Sequence, residues 1–224
     1  MTVRPSNVTV KVVMAATGAV FALFVLVHLL GNLKVFTGAE HFDGYAHWLR
    51  HAFEPVLPAG FLLWTFRIVM AVCLVAHLWA GWVVRVRGRR ARGRVRRRPS
   101  SLRSWAAHSM PATGAVLLAF IVLHLLDLTI GARPAAPEGF VPGAAYDNLV
   151  ASLRRWPIAT AYIVAMLALC AHLAHGLLSV VVDFGVAAGR RGWRIVSAIA
   201  LGFGLLVALG NLAIPITVLA GGLR

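Results

Sequence analysis

Charge is scarce in this chain, and negative charge is the scarcest. Only 13% of the 224 residues are charged, about half of the roughly 25% in an average soluble domain. Because 60% of the residues are hydrophobic, the composition excludes a disordered chain, and a single core of a water-soluble globule could not bury so much apolar surface. The composition therefore predicts an integral membrane protein. Its formal net charge of +15 comes from 22 Lys and Arg against 7 Asp and Glu.

Five long stretches contain almost no charged residue. A bilayer core about 30 Å thick needs about 20 apolar residues of helix to cross it. Backbone groups in lipid must be hydrogen-bonded within their own segment, so each stretch is predicted to be a helix. We therefore predict an all-α fold, a single integral-membrane domain that forms a bundle of five transmembrane helices. The predicted spans are residues 10–35, 59–84, 106–131, 157–183 and 194–220.

The arginines are concentrated in one loop. Residues 85–104, between the second and third predicted spans, contain ten Arg and no acid, whereas five of the seven acids lie in the loops at the other side. The positive-inside rule then places the N-terminus and the Arg-rich loop in the cytoplasm and the C-terminus outside. Nucleic-acid binding is the alternative for such a run, but no aromatic side chain is interleaved for stacking on bases. We interpret the loop as a topology signal that contacts anionic lipids, and we expect no nucleic-acid partner.

Five of the nine histidines lie well inside the predicted spans, where an ionisable side chain is costly and usually functional. Of these five, the first three spans have one each, the fourth has two and the fifth has none, while His108 lies at the very start of the third span. Counting from the charged ends at 1.5 Å per residue places His28 and His124 in the outer half of the bilayer. His77, His172 and His175 fall in the inner half. The histidines thus form an outer pair, His28 with His124, and an inner pair, His77 with His172 or His175.

Two histidines at equal depth on different helices are what a b-type haem needs, because its iron takes one neutral imidazole nitrogen from each side. A zinc site would need three or four clustered ligands, and a proton relay would favour chains of Asp, Glu and His. The sequence C-x-x-C-H is absent, which excludes covalent c-type attachment. We predict two non-covalent b haems stacked between the first four helices, with His28, His124, His77 and His172 as ligands of the haem iron.

A glycine follows a histidine by four residues on both inward-running helices. His77 precedes Gly81 and His172 precedes Gly176, each in the pattern H-L-x-x-G. A flat macrocycle against a helix needs such a missing side chain on the face of its ligand, while helix–helix packing is the alternative use of these glycines. The matched spacing favours His172 over His175, which stays as the alternative ligand.

Together these features resemble the two-haem cytochrome b subunit of succinate dehydrogenase and the related fumarate reductases. The resemblance covers nearly the whole chain apart from the Arg-rich loop and residues 133–143. The segments that carry it are K-V-V-M-A-A-T-G from Lys11, V-H-L-L-G-N-L from Val27, Y-A-H from Tyr45 and H-L-A-H-G-L-L-S from His172.

The resemblance implies a flavoprotein subunit and an iron–sulfur subunit docked on the cytoplasmic face. The chain itself has no flavin or succinate motif and no cysteine cluster for an iron–sulfur centre. Electrons from succinate would pass through the inner haem, then the outer haem, to a membrane quinone, expected to be menaquinone. The chain would then be a membrane-anchor subunit of succinate:quinone oxidoreductase in the bacterial cytoplasmic membrane, without catalytic residues of its own.

Two other functions remain open at this stage. One is a stand-alone transmembrane di-haem cytochrome b that takes electrons from another donor. The other is a transporter that uses histidines for protons, which inverted repeats would support. An outer loop contains His47, His51 and Glu54, which could exchange protons with the quinone. The alternative is that they are ordinary solvated loop residues. Arg67 could meet an outer-haem propionate or extend to the interface.

Overall fold

The computed structural model of the chain describes residues 5–93, 102–185 and 189–223. In these ranges the protein forms seven α-helices and no β-strand. A 3₁₀ helix, Leu33–Thr37, follows the first α-helix, and a π-helix, Leu125–Ile130, follows the fourth. The α-helices are α1 (Asn7–Asn32), α2 (Ala39–His51), α3 (Phe61–Arg92), α4 (Leu102–His124), α5 (Ala145–Leu153), α6 (Trp156–Asp183) and α7 (Gly189–Leu219).

Five segments are long and apolar enough to cross a membrane. They comprise all or most of α1, α3, α4, α6 and α7. Large apolar side chains such as Val75 (70% exposed) and Leu23 (64% exposed) project from them. Such exposure is unfavourable in water, whereas lipid accommodates it. The predicted all-helical bundle with five membrane-crossing helices is confirmed. The crossing segments are Asn7–Thr37, Phe61–Arg92, His108–Ile130, Trp156–Val181 and Gly189–Leu219.

The Arg-rich segment is partly helical. Because α3 continues to Arg92, the first arginines of the segment extend the helix beyond its apolar part. Residues 94–101 of the predicted loop lie outside the described ranges. Near the same end, Arg87 donates to the Asn7 side chain at 2.6 Å and to the Pro5 carbonyl at 2.8 Å. Lys11 pairs with Asp183 at 2.8 Å, so polar contacts join α1 to both α3 and α6 at this end.

The fifth spanning helix, α7, contains no histidine and packs against α6 and α1. A Cβ on Gly204 would lie 2.9 Å from the Cys170 carbonyl oxygen, so α7 approaches α6 too closely for a side chain there. On α1, Asn32 donates to Asn211 at 3.0 Å. α7 therefore supports two of the helices that carry the intramembrane histidines.

The loops at the end of the bundle opposite the Arg-rich segment contain two further helices, α2 and α5. We call this the outer end, after the predicted orientation. The sequence analysis did not predict these helices, because neither contains a long apolar run. Asp43 of α2 accepts a hydrogen bond from the Tyr146 backbone N–H of α5 at 2.9 Å. The Phe42 and Tyr146 rings meet edge to face, with centroids 6.4 Å apart. These helices close the outer end of the bundle over a buried apolar cluster. It consists of Val35, Tyr146, Leu149, Val150, Leu153, Ala159, Tyr162, Ile214, Val218 and Leu223.

Candidate functional site

Four of the intramembrane histidines meet as two cross-helix pairs. His28 of α1 faces His124 of α4 with ring centroids 5.9 Å apart and ring planes at 82°. His77 of α3 faces His172 of α6 with centroids 6.4 Å apart and planes at 57°. Each pair therefore brings together two helices that are distant in the sequence.

Both separations suit a metal held between two imidazoles. With metal–nitrogen bonds of about 2.0 Å on each side, the two ring centroids would lie about 6 Å apart. Within the described ranges no group of three or more His, Cys, Asp and Glu could hold a metal ion. The donor set is therefore two imidazoles per site, which fits haem iron, whose porphyrin supplies the other ligands, better than it fits zinc.

Threonines orient both rings of the inner pair. The Thr17 hydroxyl lies 3.0 Å from His77 Nδ1, and the Thr113 hydroxyl lies 3.1 Å from His172 Nδ1. Each hydroxyl also donates its one proton to a carbonyl of its own helix, so it accepts a hydrogen bond from Nδ1–H. This tautomer leaves Nε2 of each ring unprotonated, as a metal ligand must be.

Thr17 and Thr113 occupy equivalent places in a repeat that relates α1 to α4. M-A-A-T-G-A-V in α1 corresponds to M-P-A-T-G-A-V in α4, and each threonine precedes an H-L-L sequence by 11 residues. Reasoning from the histidines alone missed both threonines, although an alignment of α1 with α4 would have found them. The repeat makes two similar units, each of which contributes one histidine to each pair.

The glycines near the inner pair fall into two groups. A Cβ on Gly18 or Gly114 would contact the His77 or His172 ring at 3.6 and 3.5 Å, respectively. A Cβ on Gly81 or Gly176 would meet no described atom within 4 Å. Packing between the helices of this chain therefore does not require a glycine at either of the latter positions, which leaves space for a flat group against α3 and α6.

The remaining candidate residues lie elsewhere. His175 is on α6, and its carbonyl accepts a hydrogen bond from Ser179 at 2.8 Å. At the outer end, the exposed rings of His47 and His51 stack with centroids 4.2 Å apart. His51 Nδ1 lies 3.1 Å from the Glu54 carboxylate. The guanidinium of Arg67 lies 4.9 Å from the centre of the Trp64 ring, which gives this intramembrane cation an aromatic partner.

Comparison with known proteins gives two matches. The family model described as succinate dehydrogenase/fumarate reductase transmembrane subunit matches residues 87–210, more than half of the chain. The succinate dehydrogenase cytochrome b558 subunit of Bacillus subtilis is 27% identical over 180 residues, which are 80% of each chain. The family match includes His124 and His172. His28 and His77 precede it, in the half of the chain that the internal repeat relates to the matched half.

Proposed function

Because the chain belongs to the succinate dehydrogenase/fumarate reductase transmembrane subunit family, we propose that it anchors such a complex in the membrane and holds two b haems. The observation that carries the proposal is the pairing of four intramembrane histidines at ring separations of 5.9 and 6.4 Å. Pairs at two depths provide two separate sites, as electron transfer across a bilayer requires.

Each pair has its own role in this proposal. His28 and His124 would bind the iron of the outer haem, while His77 and His172 would bind the iron of the inner haem, with His175 as the alternative to His172. When bound, haem supplies a one-electron carrier whose potential depends on its axial ligands and their hydrogen bonds. Thr17 and Thr113 hold the inner ligands in the metal-binding tautomer, and Gly81 and Gly176 leave room for the porphyrin.

The charge distribution supports one orientation. Arginines extend from the end of α3 into the predicted Arg-rich loop, and the positive-inside rule places that end in the cytoplasm. The flavoprotein and iron–sulfur subunits dock there, next to the inner histidine pair. In this orientation electrons would leave at the outer side, where a membrane quinone, menaquinone in our proposal, would accept them.

Isolation of the tagged chain from its native membranes in a mild detergent tests this function. We expect a flavoprotein and an iron–sulfur protein to co-purify, and succinate to reduce the bound b haem. As a control, the chain stripped of its partners should be reduced by dithionite but not by succinate. A haem-containing chain that purifies alone and does not respond to succinate would instead indicate a stand-alone cytochrome b.

A further inference from the structure

A carboxylate lies fully buried near the outer histidine pair. Asp127 is 0% exposed and lies three residues after His124, within the membrane-crossing segment His108–Ile130. An ionised group at such a position is costly unless it is paired and hydrogen-bonded. The hydrogen-bond partners of this carboxylate therefore show what it stabilises.

Three side chains donate to this carboxylate. Ser152 bonds both oxygens, at 2.7 and 2.5 Å, the Tyr162 hydroxyl donates at 3.0 Å, and Arg155 donates at 3.2 Å. Because all three donate, Asp127 acts only as an acceptor, which is the behaviour of an ionised carboxylate. Arg155 also donates to the carbonyls of residues 134–136, so the outer loop holds the guanidinium in place.

Tyr162 connects the carboxylate to a proposed haem ligand. Its hydroxyl oxygen lies 3.2 Å from His124 Nδ1. The hydroxyl has one proton and donates it to Asp127, so its oxygen accepts a hydrogen bond from His124 Nδ1–H. The contacts thus form a chain from the imidazole through the phenol to the carboxylate.

The backbone changes where this chain of contacts begins. Helix α4 ends at His124, and the π-helix Leu125–Ile130 follows and carries Asp127. π-Helical turns inside helices are rare and frequently occur at functional sites. The irregular backbone and the buried acid are thus adjacent to the same histidine.

The inner and outer pairs differ in what their histidines contact. His77 and His172 bond to threonine hydroxyls that donate to backbone carbonyls, which are neutral acceptors. His124 bonds to a phenol that donates to an anion. A hydrogen bond polarised by an anion is stronger than a neutral one, so His124 gains more electron density at its metal-binding nitrogen.

We infer that Tyr162 and Asp127 are positioning residues that lower the midpoint potential of the outer haem through His124. This inference rests on the proposed function, since it requires a haem bound between His28 and His124. A more basic imidazole stabilises ferric over ferrous iron. The Tyr162 contact also holds the His124 ring nearly perpendicular to His28, at 82°.

The test is a redox titration of the haem absorbance in the purified complex. In Tyr162→Phe we expect one of the two haems to become easier to reduce. At a given potential its ferrous-to-ferric ratio should rise about tenfold, which corresponds to a midpoint potential raised by about 59 mV for one electron. Asp127→Asn should shift the same haem in the same direction. The matched control is Tyr146→Phe, which alters another buried tyrosine of the outer cluster and should move neither haem.

Electron paramagnetic resonance supplies a second readout, because the ferric low-spin signal depends on the angle between the imidazole planes. Tyr162→Phe should change one of the two signals.

Two bound haems with unchanged potentials in Tyr162→Phe would overturn the inference, as would an equal shift in Tyr146→Phe. If Asp127→Asn fails to fold, the nearly isosteric Tyr162→Phe decides alone. Absence of haem from the unmutated complex would instead overturn the proposed function.

Discussion

Replacing His77 with alanine is expected to remove one of the two proposed b haems and to leave the other bound. His77 faces His172 at the inner site, whereas the outer site uses a ring pair on α1 and α4. Loss of one axial imidazole leaves the inner haem without a ligand on the α3 side. The haem content per chain should therefore fall by half, as measured from the dithionite-reduced spectrum of the purified complex.

The complementary variants identify which haem is lost. His28→Ala should remove the haem that His77→Ala retains, so that the two reduced spectra add up to the spectrum of the unmutated protein. His175→Ala is the matched control on the fourth spanning helix and should keep both haems. A His175→Ala variant that lost the inner haem, beside a His172→Ala variant that kept it, would contradict the assignment of His172 as ligand.

In the His77→Ala variant, electron transfer from succinate to the remaining haem should also fail. Without the inner haem, the proposed path from the cytoplasmic subunits to the outer site has no carrier at the depth of His77. Succinate should then leave the remaining haem oxidised, although dithionite still reduces it. Fast succinate-driven reduction of the remaining haem in His77→Ala would contradict the proposed order of the two sites.

Replacing Gly131 with valine is expected to destabilise the outer end of the bundle. Gly131 ends the π-helix that carries Asp127, and its φ is +74°, where a β-branched residue is strained. Such strain costs about 1–3 kcal/mol, and a Cβ there would also overlap the Phe140 ring. The free energy of unfolding should fall by at least that amount, and outer haem should be lost on heating before inner haem.

A nearby glycine provides the control for this prediction. Gly139 lies in the same outer loop, but its φ is not positive. A Cβ at this position would meet no described atom within 4 Å. Gly139→Val should therefore melt close to the unmutated protein when haem absorbance is followed during heating. Equal destabilisation by both substitutions would show that the loop tolerates no change, rather than that Gly131 has a special conformation.

The bundle was predictable because the feature that drives a helix into the bilayer, a long apolar run, can be read directly from the sequence. The bilayer imposes a length of apolar helix, so runs such as the one around His28 identify a span without any knowledge of its neighbours. Depth follows from the constant rise of the helix, which allowed His28 to be matched with His124 before the fold was known. The two rings do lie close together in the structure, so counting residues along each helix was enough to predict the pair. Their role as ligands stays a prediction.

The contacts around the histidines were not predictable in this way. Tyr162 reaches His124 from a different helix, and the π-helix after His124 has no recognisable pattern in the sequence. The outer helices α2 and α5 are short and half polar, so their stability depends on tertiary contacts such as the one between Asp43 and Tyr146. Thr17, in contrast, could have been identified from the sequence, because it lies in the segment that α1 and α4 share.

The most direct test of the account is the amount of haem b bound per chain in the purified complex. Haem extracted from the complex and quantified against the chain should give a ratio of two, with no haem attached covalently. Two low-spin ferric signals should accompany that ratio, as expected for two iron sites that each have two imidazole ligands. A ratio of one, or a chain without haem, would contradict the claim that His28 with His124 and His77 with His172 form two haem sites.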